Sequence, residues 1–226
     1  MPARNVVKIY AANGIYHIYN RGVEKRKIFL DDHDYRVFLN ILKEALSNPT
    51  TLPMKRNSLQ GPTLQWQRMP KNFYQQIELF AYCLMPNHFH LLLKQQKEYG
   101  IKEFLHSIMT RYSIYFNKKH KRVGPLFQSN YKATMVTEEP YLLHLTRYIH
   151  LNPKEHFTDL FKAFSSYADY LEKRNTAWLN PRYILEFFSP GTLPLLKKHH
   201  TYKDFVQSYK TDSAKLLGSL ILEDSE

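Results

Sequence analysis

Hydrophobic positions recur along the chain with two different periods, and the order of these periods predicts the fold. Alternating aromatic and β-branched stretches predict strands at 15–21, 77–84, 88–94 and 126–136. Apolar stripes at helical spacing predict helices that open at 31–32, that follow residue 100 and that run from 138 to about 151. This order predicts an α+β, ferredoxin-like domain: an antiparallel sheet with helices on one face and the other face free for a ligand.

Prolines and polar runs suggest where this domain begins and ends. We predict one domain over residues 1–157, with an extra helix that carries the chemistry, and a helical appendage and tail over 158–226. Residues 49–72 hold many prolines and polar side chains, which predicts a long mobile insertion. Pro153 disfavours helical geometry at Asn152, so the last helix of the domain is expected to end at Leu151.

Composition and charge narrow the range of partners. A hydrophobic fraction of 43% indicates a folded protein, and a net charge of +12 calls for a polyanion. Together with 17 tyrosines, this charge favours nucleic acid, because aromatic rings stack on unpaired bases while cations follow the phosphates. The alternative is a basic protein whose tyrosines fill its core. The single cysteine and the lack of a membrane-length apolar run or signal peptide predict a cytoplasmic protein that needs no membrane.

Two histidines stand at positions i and i+2 at the start of the third predicted strand. Side chains two apart on a strand share a face, so His88 and His90 should converge while Phe89 and Leu91 face the core. Converging imidazoles can hold a divalent metal ion. Such a pair also arises by chance in a chain with 11 histidines, and one ring could instead cap the strand while the other bonds a loop.

On the last predicted helix of the domain, three polar side chains recur every four residues: His144, Tyr148 and Asn152. Tyr148 is a candidate nucleophile, and the amide oxygen of Asn152 could complete a metal shell with the two histidines. A protonated tyrosine hydroxyl attacks poorly, so a metal ion that makes phosphorus electrophilic would complement it. The alternative interpretation is that Tyr148 is a core aromatic, since several leucines share this helix.

Four segments of the chain resemble the HUH single-strand transposases of the IS200-like family, in particular the branch of REP-associated tyrosine transposases. They are YHIYNRGVEKRKIFLDDHDYRVFL, MPNHFHLLL, GPLFQSNYKA and YLLHLTRYIHLNP. The resemblance covers roughly residues 14–171. Ser129 and Asn130 depart from the Gly-Arg pair usual in the family, which removes one expected phosphate contact.

This resemblance implies roles for individual residues. His88 and His90 match the metal-binding histidines, Tyr148 the catalytic tyrosine and Asn152 the third metal ligand. The family cleaves single-stranded DNA: the tyrosine attacks a phosphodiester, forms a 5′-phosphotyrosine link and frees a 3′-OH. Its usual metal is Mg²⁺ or Mn²⁺, whereas imidazole ligation taken alone favours Mn²⁺ or Zn²⁺.

The resemblance also implies a single-stranded or hairpin DNA partner, in which a short palindrome is flanked by a single-stranded tetranucleotide. Lys132 and Arg147 flank the predicted centre and are expected to contact this DNA. The branch favours a monomer, although a homodimer with the tyrosine helix in trans is the alternative. The other predicted DNA contacts are Arg21, Lys25, Arg26, Lys27, Arg111, Lys118, Lys119, Lys121 and Arg122.

Three functions are compatible with these residues. The first is a metal-dependent, tyrosine-nucleophile DNA endonuclease and strand transferase. The second is a non-catalytic ferredoxin-like protein that binds single-stranded nucleic acid, such as a domesticated relative. The third is a hydrolase that uses metal-bound water, for which Tyr148 would be dispensable.

Overall fold

The computed structural model describes residues 10–52, 70–189 and 201–208 of the chain. Most of the predicted 49–72 insertion and the acidic residues 222–226 lie outside these residues. The strands are β1 (Ile15–Arg21), β2 (Ile77–Met85), β3 (His88–Gln95) and β4 (Lys132–Val136). The helices are α1 (Asp32–Leu46), α2 (Gly100–Lys119), α3 (Glu139–Leu151), α4 (Tyr167–Tyr170), α5 (Arg182–Leu185) and α6 (Tyr202–Gln207).

The four strands form one antiparallel sheet in the order β2-β3-β1-β4. This is the strand order of a ferredoxin-like domain, so the predicted α+β fold class is confirmed. The first three strands begin and end within one residue of their predicted bounds, because each has a strong period-two pattern bounded by turn residues.

One face of the sheet is apolar and packs against α1 and α2. We call it the apolar face; its central side chains include Ile18, Phe89 and Leu91, each fully buried. Helix α1 begins where Asp31 caps it, since the Asp31 carboxylate accepts a hydrogen bond of 3.0 Å from the backbone N–H of Asp34. These contacts give the domain its main hydrophobic core.

The other face, which we call the α3 face, is covered by α3 and by described residues of the C-terminal region. Leu92 and Cys83 of the sheet lie in one cluster with Leu145 and Ile149 of α3. The expectation that this face stands free for a ligand was therefore wrong. Because strands β2 and β3 carry apolar side chains on both faces, they need a covering layer on each.

One predicted boundary was also wrong. Strand β4 begins at Lys132, and residues 126–131 form an irregular segment with an isolated bridge between Gly22 and Phe127. Helix α3 ends at Leu151 as predicted, but Asn152 keeps helical angles (φ −50°, ψ −40°) despite Pro153, because its backbone N–H still bonds to the carbonyl of Tyr148. The chain then continues in a 3₁₀ turn (Asn152–Glu155), so Asn152 stays one helical turn after Tyr148.

The described part of the C-terminal region packs on the domain. Ser166 accepts a hydrogen bond from the backbone N–H of Tyr82 in β2, and α6 lies against α3. None of the helices in the described ranges has both the length and the apolarity that crossing a membrane requires.

Candidate active site

The register between β1 and β3 determines which side chains meet on the α3 face. His88 lies opposite Arg21, and His90 lies opposite Tyr19. The Tyr19 ring is 5.4 Å from the ring of His88 and 5.1 Å from that of His90, centroid to centroid. A tyrosine of the neighbouring strand therefore packs against both histidines.

Strand β3 and helix α3 bring the four predicted site residues together. The Nε2 atom of His88 lies 3.3 Å from Oδ1 of Asn152, and the two histidine rings are 5.1 Å apart. The Tyr148 ring stands edge-on to the His90 ring at 5.7 Å. Tyr148 is half-buried and its hydroxyl oxygen is buried. The chemical roles of these residues stay predictions.

The contacts of His88 suit a cation at its Nε2 atom. Its Nδ1 atom lies 2.7 Å from Oδ1 of Asn87, and an amide oxygen can only accept a hydrogen bond, so Nδ1 carries the proton. In the neutral ring Nε2 then holds a lone pair, and it faces a second acceptor, Oδ1 of Asn152. A positively charged group between two such acceptors would satisfy both.

The donor set indicates which ion would fit. Within the described ranges no group of three His, Cys, Asp or Glu side chains could hold a metal ion. A cation held by His88, His90 and Asn152 would thus have two imidazole nitrogens and one amide oxygen. Mg²⁺ prefers an all-oxygen shell, whereas imidazole suits transition metals, so this set fits Mn²⁺ better than Mg²⁺.

Sequence reasoning missed His17. Its Nε2 atom lies 2.9 Å from Nδ1 of His90, and both residues are fully buried. The His17 ring is also 6.5 Å from the Tyr148 ring. The alternation of His17 with Tyr19 on β1 is visible in the sequence, but the register that places His17 behind His90 is not.

Lys132 and Arg147 were both expected to flank the candidate site, but of these two only Lys132 lies beside it. Lys132 lies opposite Tyr19 on β4, and its Nζ atom is 5.6 Å from the centroid of the Tyr19 ring. Arg147 is only 5% exposed. Its guanidinium lies 4.2 Å over the Phe205 ring and donates to the Phe205 carbonyl, so the structure does not present Arg147 to DNA.

Two cations of α2 bond to carboxylates. Arg111 forms an ion pair with Glu44, and Lys119 bonds to both Asp31 and Asp34. Burial alone would raise the pKa of Asp34, but hydrogen bonds led by that from Lys119 lower it to about 2. Both charges are thus largely neutralised within the protein.

The remaining predicted DNA contacts are near the surface. Three bond to polar neighbours: Arg21 to Gln128, Arg26 to Glu24 and Arg122 to Asn117. The others are exposed: Lys25, Lys27, Lys118 and Lys121.

Helix α3 is held to the C-terminal region by His150, two residues after Tyr148. Its Nδ1 atom lies 2.6 Å from the Tyr202 hydroxyl, and its Nε2 atom lies 2.7 Å from the Ser166 hydroxyl. Burial lowers the pKa of His150 to about 3, and the charge of Arg174 acts in the same direction. A neutral ring therefore fixes the C-terminal half of the helix that carries Tyr148 and Asn152.

One family of known proteins matches the part of the chain that carries this site. Residues 71–152, which include both histidines, Tyr148 and Asn152, match the family described as "Transposase IS200 like". No curated protein sequence matches the chain.

The fold is similar to that of a solved structure described as a REP-associated tyrosine transposase bound to a REP hairpin. The TM-score is 0.52 at 11% identity, and the match covers 79% of this chain and 98% of that chain. A Deinococcus radiodurans R1 protein, provisionally described as a transposase, gives a TM-score of 0.36 at 16% identity over 66% of this chain and 95% of its own. At such identities the first match shows a shared fold.

Proposed function

We propose that this protein is a metal-dependent single-stranded DNA endonuclease and strand transferase, since residues 71–152 match the family described as "Transposase IS200 like". The proposal is supported mainly by the contact between β3 and α3. There, His88 Nε2 lies 3.3 Å from Asn152 Oδ1, and the Tyr148 ring packs edge-on against the His90 ring. A nucleophile and a set of metal ligands thus belong to one small site.

In this proposal Tyr148 performs the covalent step. Its Oη atom attacks phosphorus, the bond from phosphorus to the 3′ oxygen breaks, and the phenolic proton ends on the released 3′-OH. The product is a 5′-phosphotyrosine link, and attack by a 3′-OH on that link rejoins strands. Oη is buried, so a DNA phosphate can reach it only if neighbouring groups move.

Other side chains prepare this step. His88, His90 and Asn152 would hold a divalent cation, which supplies electrophilic activation of the phosphodiester when bound. Tyr148 and Asn152 are one turn apart on the same helix, so the attacking oxygen and a metal ligand keep a fixed spacing. Lys132 adds a positive charge at the edge of the site, where the DNA backbone would pass.

We further propose hairpin DNA with an adjacent single-stranded segment as the substrate. The protein of similar fold is described as bound to a REP hairpin. The net charge of +12 supports phosphate binding.

The test is to incubate the protein with Mn²⁺ and hairpin DNA that is labelled at its 3′ end or, separately, at its 5′ end. A 5′-phosphotyrosine intermediate retains the 3′ label on the protein in a denaturing gel and releases the 5′ label. Tyr148→Phe should abolish the adduct, whereas Tyr141→Phe on the same helix should keep it. His88→Ala should also abolish the adduct while DNA affinity stays within about tenfold, because phosphate neutralisation supplies most of that affinity.

Other outcomes would support a different function. Cleavage that persists in Tyr148→Phe without an adduct would indicate hydrolysis by metal-bound water. Hairpin binding without cleavage in the parent protein would indicate a non-catalytic binding protein.

A further inference from the structure

Behind each candidate metal-binding histidine lies a polar side chain that the proposed mechanism does not use. We propose that Asn87 and His17 are positioning residues that engage Nδ1 of His88 and of His90, so that both rings present Nε2 to one divalent cation. This inference rests on the proposed function for the identity of the ion. The role that it assigns to both residues is to orient the two histidine ligands.

The contacts of Asn87 determine the orientation of its own amide. Its Nδ2 atom lies 3.3 Å from the carbonyl oxygen of Lys25, which can only accept a hydrogen bond. The opposite atom, Oδ1, must then face Nδ1 of His88 at 2.7 Å and accept its proton. The backbone fixes the same residue, since the carbonyl of Asn87 accepts from the N–H of Gly22 at 2.8 Å.

A consequence for His88 follows from this arrangement. With its proton on Nδ1, the neutral ring can ligate a metal only through Nε2, the atom that faces Asn152. The loop after β1 thus sets the orientation of a metal ligand on β3 through one amide. Lys25 and Arg26 of that loop are among the predicted DNA contacts. The same loop would therefore orient a metal ligand and contact the DNA.

His17 has the corresponding role for His90. Nε2 of His17 lies 2.9 Å from Nδ1 of His90, and the two ring planes differ by only 19°, so the ring edges meet in a nearly coplanar hydrogen bond. When His90 donates through Nδ1, its Nε2 atom is the one that can ligate. The Tyr148 ring stands at 82° to both imidazole rings, so this pair also forms the wall against which Tyr148 packs.

Both contacts follow a rule of metal chemistry in proteins. A ligating imidazole nearly always donates its other N–H to a fixed acceptor, and loss of that acceptor typically costs about 10- to 100-fold in metal affinity. His17 is fully buried on the sheet and Asn87 lies in the tight connection between β2 and β3. Both acceptors are therefore held by the fold itself.

The first test measures Mn²⁺ affinity without DNA, by the electron paramagnetic resonance signal of free Mn²⁺. Asn87→Leu and His17→Leu should each weaken binding about 10- to 100-fold, because a leucine offers no acceptor. Asn87→Asp and His17→Gln still offer a hydrogen-bond acceptor and should stay within about fivefold of the parent protein. His144→Leu is the control: its buried ring bonds to Arg147 instead, so Mn²⁺ affinity should be unchanged.

A second readout needs neither metal nor activity. Long-range ¹H–¹⁵N spectra of metal-free protein labelled at histidine report which ring nitrogen carries the proton. His88 and His90 should both be protonated at Nδ1. In Asn87→Leu the proton of His88 should move from Nδ1 to Nε2, whereas His90 should stay protonated at Nδ1.

Several results would overturn the inference. They are an Nε2-protonated His88 in the parent protein, leucine variants that bind Mn²⁺ as the parent does, and acceptor-retaining variants that lose as much affinity as the leucine variants. A parent protein that binds no Mn²⁺ would overturn it as well. If the Mn²⁺ and spectral results are as expected but no DNA adduct forms, the positioning roles stand and the proposed function fails.

Discussion

The two faces of the sheet use the same strands for different purposes. On β3, Phe89 and Leu91 point to the apolar face and pack against α1 and α2, whereas His88 and His90 point to the α3 face. Strand alternation thus places a core side chain and a candidate metal ligand at adjacent positions. Substitutions one residue apart should therefore affect either stability or chemistry, and the comparison can be tested residue by residue.

The largest effect on stability is expected on the apolar face. Phe89 is fully buried and its ring contacts those of Phe38 at 5.2 Å and Phe127 at 5.9 Å. Phe89→Ala should lower the free energy of unfolding by about 3–5 kcal/mol, because it removes buried contacts and leaves a cavity. His88→Ala, at the half-buried neighbouring position, should cost only about 1 kcal/mol, since its hydrogen bond to Asn87 is partly exposed.

Urea unfolding of both variants measures this difference in stability. The adduct assay then compares their ability to react with DNA. Phe89→Ala that remains folded should still form the DNA adduct, whereas His88→Ala should not. Equal losses of stability in the two variants would mean that the two faces do not divide the roles as described.

The sequence predicts the contrast between the faces but not its finer parts. The alternation of His88 and His90 with Phe89 follows from strand geometry, and the spacing of Tyr148 and Asn152 follows from helical periodicity. The position of His17 depends on the register between β1 and β3, which is a property of the assembled sheet. The sequence also does not predict the intramolecular contacts of a cation, since the residues that bury or neutralise it lie far away in the chain.

Two cations illustrate this limit. Arg147 is close to Tyr148 in sequence, yet Phe205, 58 residues away, holds it in the interior. Lys119 belongs to a basic run, yet Asp31 and Asp34 of α1 bind it. No periodic pattern within either segment indicates such partners.

Helix α1, which packs on the apolar face, should also respond to acid through one buried carboxylate, that of Asp34. The pKa of Asp34 is about 2 in the folded protein, against about 3.9 for an ordinary aspartate. The unfolded chain therefore binds more protons between these values, so the stability that this group contributes is present above about pH 4 and is lost as the pH falls towards 2. Asp34→Asn should flatten the dependence of unfolding free energy on pH in that window.

Asp32→Asn is the matched control for this measurement. Asp32 pairs with Arg36 on the exposed side of α1, where the two side chains are 71% and 66% exposed. Exposed pairs contribute little, so this variant should keep the slope of the parent protein. An unchanged slope in Asp34→Asn would show that other carboxylates govern the acid response.

The smallest expected effect is on the salt dependence of DNA binding, and it should differ between lysines on the two sides of the sheet. Lys132 lies at the edge of the candidate site, whereas Lys119 is bound by Asp31 and Asp34 on the other side of the sheet. Each phosphate contact contributes about 0.7 to the slope of log affinity against log salt for single strands. Lys132→Ala should lower that slope by about this amount and weaken binding a few-fold, while Lys119→Ala should leave it unchanged. Fluorescence anisotropy of labelled single-stranded DNA at several salt concentrations provides both slopes, and equal slopes would argue against a DNA path beside Lys132 at the edge of the candidate site.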